Sequence, residues 1–203
     1  MFYETARNDH GLPHDPFKAI VAPRPIGWIS SISASGQVNL APYSFFNGLT
    51  SRPPTVMFSS EGWKDSVSNV AETGEFVCNL ATFDLRLAVN ATSAPLPRGV
   101  SEFEAAGLTP VASRLVKPPR VGESPVALEC KVLQVIPLAD LDGRKTGVHV
   151  TFGQVVGVHI DEAMIVDGQF DMTRARSIAR CGYRDYAVVD ELFQMMRPAG
   201  SGG

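Results

Sequence analysis

Short β-rich runs of hydrophobic and small polar residues dominate the chain and predict a protein built mainly from strands. The clearest run covers residues 26–33 and is rich in Ile, Ser and Trp. Residues 34–36 follow as a turn, because Gly36 can take a positive φ. A return strand begins at residues 38–40, and Ala41-Pro42 is expected to break or bulge it.

Further strands are expected along the rest of the chain, at residues 55–60, 76–81, 126–136 and 147–160. The last two runs are long, and the turn-like Asp142-Gly143 separates them. Together they predict a long β-hairpin.

Helical spacing is confined to a few short segments. Val67 and Val70 follow Lys64-Asp65-Ser66, so Asp65 or Ser66 is expected to cap a helix that ends at Gly74. A second helix is predicted at residues 84–91, with Leu85, Ala88 and Val89 on one face. The tail at 172–193 is expected to be partly helical and interrupted at Cys181-Gly182.

A long excursion at residues 94–123 carries several Pro and Gly residues and a short amphipathic piece at 102–106. Loops of this length usually serve function or assembly. Many strands with few helices indicate a closed or nearly closed β-barrel, which leaves no exposed edges. A doubly wound sheet would need regular β–α alternation, which is missing. We expect one domain over residues 1–198 and a disordered tail at 199–203.

Composition narrows the class of protein. The 203 residues are 44% hydrophobic and 19% charged, with a net charge of −3, which is ordinary for a soluble globular domain. A basic footprint for nucleic acid is missing. No stretch approaches the roughly 20 apolar residues of a membrane span, and the N-terminus does not resemble a signal peptide. We expect a cytoplasmic protein without nucleic-acid or membrane partners.

The sequence offers no familiar metal or nucleotide motif. The three cysteines, Cys78, Cys130 and Cys181, are far apart and form no CxxC pair, so we expect small buried residues in a reducing cytosol rather than a disulfide framework or zinc site. His149 and His159 lie in a strand segment, where packing or exposure is commoner than metal binding. The Rossmann, P-loop, HExxH and GxSxG patterns are all missing.

The first hairpin is the strongest candidate site. Ser30, Ser31 and Ser33 lie on its first strand, and Asn39 and the segment 41–44 lie on the return strand. Proline has no N–H, so Pro42 can leave a nearby carbonyl free for a ligand. Hydroxyls and free backbone groups suit the polar edge of an isoalloxazine ring. The alternative is a hairpin with a row of solvent-facing serines.

Two further segments carry candidate chemistry. Lys64 and Ser66 lie at a predicted helix start, where free N–H groups, a positive charge and a hydroxyl suit a terminal phosphate, and Asn69 lies one turn further on. An ordinary capped surface helix is the alternative. Arg180 and Tyr183, with Tyr186 following, could cover a flavin or meet a nicotinamide. The alternative is a surface helix break with packed tyrosines.

Taken in order, several stretches resemble the flavin reductase-like family with the FMN-binding split barrel, in particular its flavoredoxin-like branch. They are RPIGWISSIS, NLAPYSFFNGLTSRPPTVMFSS, KDSVSNVAETGEFVCNL, NATSAPLP, EFEAAGLTP, VKPPRVGESPVALECKV and ARCGYRDYA. The resemblance covers about residues 16–198. It implies a homodimeric split β-barrel with a few peripheral helices, which binds FMN non-covalently near the dimer interface.

The resemblance also implies site residues for FMN. Those for the ribityl chain and ring are Ser30, Ser31, Ile32, Ser33, Asn39, Ala41, Pro42, Tyr43 and Ser44. Those that close the site or hold the phosphate are Ser59, Ser60, Lys64, Asp65 and Ser66. Arg180 and Tyr183 match the C-terminal element of the family. The chain departs from the family at two positions. Ser66 replaces the usual Thr and keeps its hydroxyl. Tyr183 stands where the family often has a small Gly, and the larger side chain is expected to narrow access to the flavin.

The implied activity is reduction of FMN by NADH or NADPH, with hydride transfer to flavin N5 and no obligatory catalytic side chain. One alternative is a flavoredoxin-type electron carrier that does not oxidise NAD(P)H directly. Another is a non-catalytic flavin-binding dimer. The motifs do not match the pyridoxamine phosphate oxidase branch of split barrels. A monooxygenase or another electron-transfer protein is the expected partner.

Overall fold

A computed structural model describes residues 1–96, 100–196 and 198. Within them the helices are α1 (Phe17–Ile20), α2 (Asp65–Thr73), α3 (Arg86–Ala91), α4 (Glu102–Ala105) and α5 (Met172–Ala175), with a 3₁₀ turn at Glu162–Met164. The strands are β1 (Arg24–Pro25), β2 (Gly27–Ile32), β3 (Val38–Tyr43), β4 (Phe46–Ser51), β5 (Pro54–Glu61), β6 (Glu75–Leu80), β7 (Pro110–Val111), β8 (Arg120–Val121), β9 (Val126–Ala139), β10 (Lys145–Ile160), β11 (Ile165–Val166), β12 (Gln169–Phe170), β13 (Ile178–Gly182) and β14 (Asp185–Val188). The prediction of a mainly β protein is confirmed. The predicted tail at 199–203 lies outside the described residues.

One antiparallel sheet of seven strands forms the body of the molecule, in the order β3-β2-β6-β9-β10-β5-β4. Strands β3 and β4 are consecutive in the chain but lie at opposite edges of this sheet. Only Ser44 and Phe45 connect them. A link this short forces the sheet to curl until its two edges meet, because two residues span less than about 7 Å. The sheet is therefore a barrel.

The two edges meet without pairing, which makes the barrel a split one. The Ser59 N–H donates to the Phe45 carbonyl at 2.9 Å, which extends the β4–β5 ladder up to the link. The rings of Tyr43 and Phe58 lie 4.9 Å apart across the seam. Among the described residues no ladder of hydrogen bonds joins β3 to β4 or β5. We call this line of contact the seam.

Two hydrophobic clusters hold the barrel together. The inner one packs Val67 and Val70 of α2 against the barrel strands, including Phe58 and Phe76, so α2 plugs the barrel. The outer one surrounds Trp28, which is fully buried. Its indole N–H donates to the Thr92 hydroxyl at 2.9 Å. These contacts bring the start of α2 and the end of α3 to the two sides of β3.

Three expectations from the sequence are corrected by this structure. Strand β3 runs unbroken through Pro42, because it is an edge strand and a proline N can face away from the ladder. Lys64, in extended conformation, is the N-cap of α2, and neither Asp65 nor Ser66 is. The tail is helical only at α5, and the residues beyond it form β13 and β14, which complete a sheet with β1. The helix ends at Gly74 with φ 73°, as expected.

The cysteines are free thiols, and Cys78 and Cys130 lie in the inner cluster. Burial raises the pKa of the Cys78 thiol to about 12 and raises that of Cys130 further. Both therefore behave as small apolar side chains at neutral pH, as predicted. Cys181 is only half-buried.

Candidate functional site

The start of α2 is fastened to the first hairpin by two buried hydrogen bonds. The Asn39 side-chain amide donates to the Ser66 hydroxyl at 2.8 Å, and the Asn69 amide donates to the Ser31 hydroxyl at 3.1 Å. Ser31 and Ser66 are almost completely buried. The two segments that the sequence singled out, the hairpin and the Lys64-Asp65-Ser66 turn, therefore form one structural unit.

Tyr43 connects this unit to the seam. Its hydroxyl lies beside the side chains of Ser66 and Ser60, whose hydrogen-bonding interaction with it favours the charged form of the phenol. Burial raises the pKa of the Tyr43 phenol, because it disfavours the charged form by more than the bonds to Ser66 and Ser60 favour it. The phenol therefore stays protonated at neutral pH and remains a hydrogen-bond donor.

The outer edge of β3 offers unpaired backbone groups. The Leu40 N–H donates to the Glu102 carboxylate at 3.2 Å, so the backbone of Leu40 points away from β2. In an antiparallel strand alternate residues point the same way, and Pro42 therefore also faces this open edge. Pro42 presents a carbonyl there and no N–H, which makes the edge an acceptor at that position.

A cleft of about 520 Å³ lies between this edge, the start of α2 and the segment after α3. Lys64 stands at its rim as the N-cap of α2, where free backbone N–H groups and the helix dipole add partial positive charge. Among the described residues the Lys64 ammonium takes part in no ion pair. The cleft is lined by Asn39, Ala41, Pro42, Tyr43, Lys64, Asp65, Ser66, Thr92, Ser93, Ala94, Pro95, Leu96 and Glu102.

Seven of the residues expected from the sequence thus share one cleft, from Asn39 to Ser66. The serines of β2 are placed differently. Ser30 points to the opposite face from Ser31 and donates to the Pro119 carbonyl. Ser33 lies in the hairpin turn, bonded to the Ser35 hydroxyl at 2.9 Å and to the Gln37 N–H at 3.1 Å. It lines a smaller adjoining cleft of about 160 Å³.

The remaining expected residues lie at the seam or beyond it. Ser44 is part of the link between β3 and β4, and Ser59 and Ser60 end β5 beside it. Ile32 ends β2 and is half-buried. None of these positions lines the cleft.

Arg180 and Tyr183 lie elsewhere, in the sheet of β1, β13 and β14. The Arg180 guanidinium donates to the Tyr186 hydroxyl at 2.6 Å and to the Tyr183 carbonyl, and it lies 4.7 Å from the centre of the Tyr186 ring. Tyr183 has a φ of 43° and stacks near His14. Neither residue lines the cleft beside Lys64.

His149, which sequence reasoning set aside, lies beside one of the expected site residues. It lies opposite Ser60 in the β5–β10 ladder, so both side chains face the same side of the sheet. Its ring lies 4.9 Å from that of Trp63, and its Nδ1 atom is buried without a partner. A strand histidine between valines carries no signal of this; only the register of β10 against β5 reveals it.

The described residues contain neither a membrane-spanning helix nor a cluster of metal-binding side chains. They contain no helix that is long and apolar enough to cross a membrane. They also contain no group of three or more His, Cys, Asp or Glu side chains placed to hold a metal ion.

Comparison with known proteins finds similarity over most of the chain. Residues 21–173, more than half of the chain, match the model of the flavin reductase like domain. An uncharacterized protein of Aquifex aeolicus is 37% identical over 82% of this chain and 85% of its own.

Solved structures with the same fold are also similar. Nitrilotriacetate monooxygenase component B from Bacillus cereus superposes with a TM-score of 0.86 at 30% identity, over 96% of this chain and 98% of its own. Flavoredoxin of Desulfovibrio vulgaris superposes with a TM-score of 0.77 at 21% identity, over 89% of this chain and 94% of its own, which shows a shared fold only.

Proposed function

The chain belongs to the flavin reductase-like family, and from that premise we propose that it binds FMN non-covalently and reduces it with NADH or NADPH. The observation that carries this proposal is the cleft beside Lys64, which joins an open strand edge to a helix N-terminus. Its volume of about 520 Å³ lies within the roughly 300–1,000 Å³ of small-molecule sites.

The residues of the cleft fit the two ends of FMN. The Lys64 ammonium, the N–H groups that open α2 and the Ser66 hydroxyl suit a phosphate. The free edge of β3 suits the pyrimidine side of the flavin ring, since Pro42 offers a carbonyl at this edge without an N–H beside it. The phosphate and the ring would then lie at opposite ends of one cleft.

When bound, FMN supplies the redox chemistry, because it can take up two electrons as a hydride from a nicotinamide and release them to an acceptor. The protein positions and shields the cofactor. Tyr43, Ser60 and Ser66 form a hydrogen-bonded floor that holds the end of β3 against the start of α2. His149, beside Ser60, adds a polar ring at the same end of the barrel. No side chain has to act as an acid or base.

We further propose that the protein is a cytoplasmic homodimer that passes electrons to a monooxygenase or another partner protein. The resemblance to a monooxygenase component B supports a partner of this kind. Exposed apolar side chains along β9, such as Leu133 and Leu138, support self-association through the long hairpin. Sedimentation of the purified protein would measure its mass in solution.

The test starts from flavin uptake. The purified protein should bind FMN, and stopped-flow absorbance should then show NADH or NADPH bleaching the bound flavin. If the flavin binds but neither nucleotide bleaches it while a reduced electron-transfer protein does, the protein is a flavoredoxin-type carrier. If FMN binds and no donor reduces it, the non-catalytic alternative holds. A protein that takes up no FMN at saturating concentration contradicts the proposal.

A further inference from the structure

A second polar cleft lies far from the proposed flavin site, at the other end of strand β10. Its volume is about 450 Å³, and it is lined by Arg114, Arg120, Gly122, Glu123, Ser124, Pro125, Val158, His159, Ile160 and Asp161. His159 is ten residues along β10 from His149, or about 30 Å at a rise near 3.3 Å per residue. The two clefts of one protomer are therefore separate.

One wall of this cleft is the end of the long excursion, and the barrel holds it in place with buried polar side chains. Glu129, fully buried on β9, accepts the N–H groups of Arg114 at 2.7 Å and Leu115 at 2.6 Å. Asn79, also fully buried, accepts the Val121 N–H at 2.8 Å. The Ser30 hydroxyl donates to the Pro119 carbonyl.

Buried polar side chains cost free energy unless they are hydrogen-bonded. Here their hydrogen bonds go to the backbone of the excursion and hold it in one conformation. These hydrogen bonds fix the backbone at residues 114–115 and at residues 119 and 121. The two fixed stretches include Arg114 itself and both neighbours of Arg120. The segment is thus ordered before any ligand arrives, which lowers the entropic cost of binding.

His159 is held by the same carboxylate. Its Nε2 lies 2.5 Å from the Glu129 carboxylate, which also accepts the two backbone N–H groups. Because an ionised carboxylate has no proton to donate, Nε2 is the donor of this hydrogen bond. This bond fixes the orientation of the His159 ring. The other ring nitrogen, Nδ1, does not contact Glu129.

The two guanidinium groups of the cleft have no acidic partner. Neither Arg114 nor Arg120 forms an ion pair with any residue that the structure describes. The Arg120 Nε atom is buried without a hydrogen-bond partner. An unpaired buried guanidinium N–H is rare, because it loses its hydration without compensation.

The acidic residues of the cleft are already engaged. The Glu123 carboxylate accepts the Thr109 N–H at 3.0 and 3.1 Å, and the Asp161 carboxylate accepts the Ala163 N–H at 3.0 Å. Guanidinium groups are therefore the strongest free donors that the cleft presents. Their planar fork matches the paired oxygens of phosphate and carboxylate groups.

We propose that this cleft is a second ligand site, which binds a small oxyanion, the phosphate or carboxylate group of a small molecule, between Arg114 and Arg120. The site is independent of the flavin cleft and gives the long excursion a function of its own. Nothing in the proposal requires that FMN be reduced or even bound.

The test uses the full-length, FMN-treated protein and follows the arginine Nε–H signals by NMR. Inorganic phosphate is titrated in one arm and citrate in the other, against chloride at equal ionic strength. We expect the Arg120 signal to shift saturably in at least one arm, and the arm with the lower Kd identifies the preferred oxyanion. A phosphate held at Lys64 would leave this signal unmoved.

Variants make the result specific. Arg120→Gln, followed through the Arg114 Nε–H signal, should raise the Kd about tenfold or more. Arg114→Gln, at an exposed side chain and followed through the Arg120 signal, should raise it without affecting folding. Arg144→Gln is the matched control, because Arg144 is exposed and pairs with Asp142 at the far hairpin turn. The proposal is wrong if no signal saturates in either arm, or if both cleft variants bind as tightly as Arg144→Gln.

Discussion

At the scale of single residues, Lys64 is the cation that the proposed phosphate end depends on. Lys64→Gln should raise the Kd for FMN about tenfold, because one charge-assisted bond to phosphate is lost. Riboflavin, which has no phosphate, should bind the variant and the native protein equally. Quenching of flavin fluorescence measures both affinities.

Lys131→Gln is the control for this change, since Lys131 is exposed on β9 and lies opposite Glu75, beyond the end of α2 that is remote from Lys64. A Lys64 variant that loses riboflavin and FMN affinity alike would show that the residue supports the fold of the cleft and not the phosphate.

Glu129 makes a residue-scale prediction about stability. Burial alone would raise the pKa of its carboxyl, but the bonds from the Arg114 N–H, His159 and the Leu115 N–H outweigh burial and lower it below the ordinary 4.5. A lowered folded-state pKa contributes stability that is present above about pH 4.5 and is lost as the pH falls through the lowered value.

Glu129→Gln should therefore cost about 2–4 kcal/mol of unfolding free energy at pH 7. It should also flatten the decline of stability below pH 4.5. Urea unfolding at a series of pH values checks both, with the exposed Glu191→Gln as control. An unchanged slope in the Glu129 variant would mean that other carboxyls dominate acid unfolding.

At the scale of secondary-structure elements, the end of the seam depends on how closely Phe46 of β4 packs on β2. A Cβ at Gly27 would lie 2.5 Å from the Phe46 ring, so a larger residue there must displace this ring, which follows directly on the link between β3 and β4. Gly27→Ala should lower the free energy of unfolding by about 1–3 kcal/mol. Because the seam borders the cleft, FMN affinity should fall as well.

Gly48→Ala provides the matched comparison on β4. No atom lies within 4 Å of a Cβ at this position, and its backbone is not in the left-handed region. Its stability should stay within about 0.5 kcal/mol of the native value. Thermal unfolding of the two variants side by side decides whether the seam is closely packed.

At the scale of the whole molecule, the surroundings of the flavin cleft predict selectivity among flavins. Among the residues that the structure describes, the smaller cleft next to it is lined by the acidic side chains of Asp65, Glu72 and Glu102 and by no cationic one. A second phosphate, as in FAD, would meet these carboxylates. FAD should therefore bind about tenfold more weakly than FMN.

Glu72→Gln should narrow the difference between FAD and FMN, since it removes one negative charge beside the phosphate. Glu104→Gln, on the exposed side of α4, should leave it unchanged. Titrations with both flavins measure the ratio of the two Kd values. Equal affinity of the native protein for FAD and FMN would show that the adenylate avoids this cleft.

The sequence by itself determined the elements whose signals are local. Hydrophobic runs located β2, β5, β6 and the long hairpin, and Gly74 ended α2 because a left-handed C-cap needs a residue without a Cβ. The order of the motifs also indicated the family, and the match to its model confirmed it.

Only the tertiary structure decided which residues meet. Ser30 and Ser31 are neighbours in sequence, but the pleat sends Ser30 to Pro119 and Ser31 to Asn69 on α2. The pairing of β10 with β5 brings His149 to Ser60, and the fold places Arg180 in another sheet. Such contacts depend on strand register and on chain closure between distant segments, which local patterns of polarity do not encode.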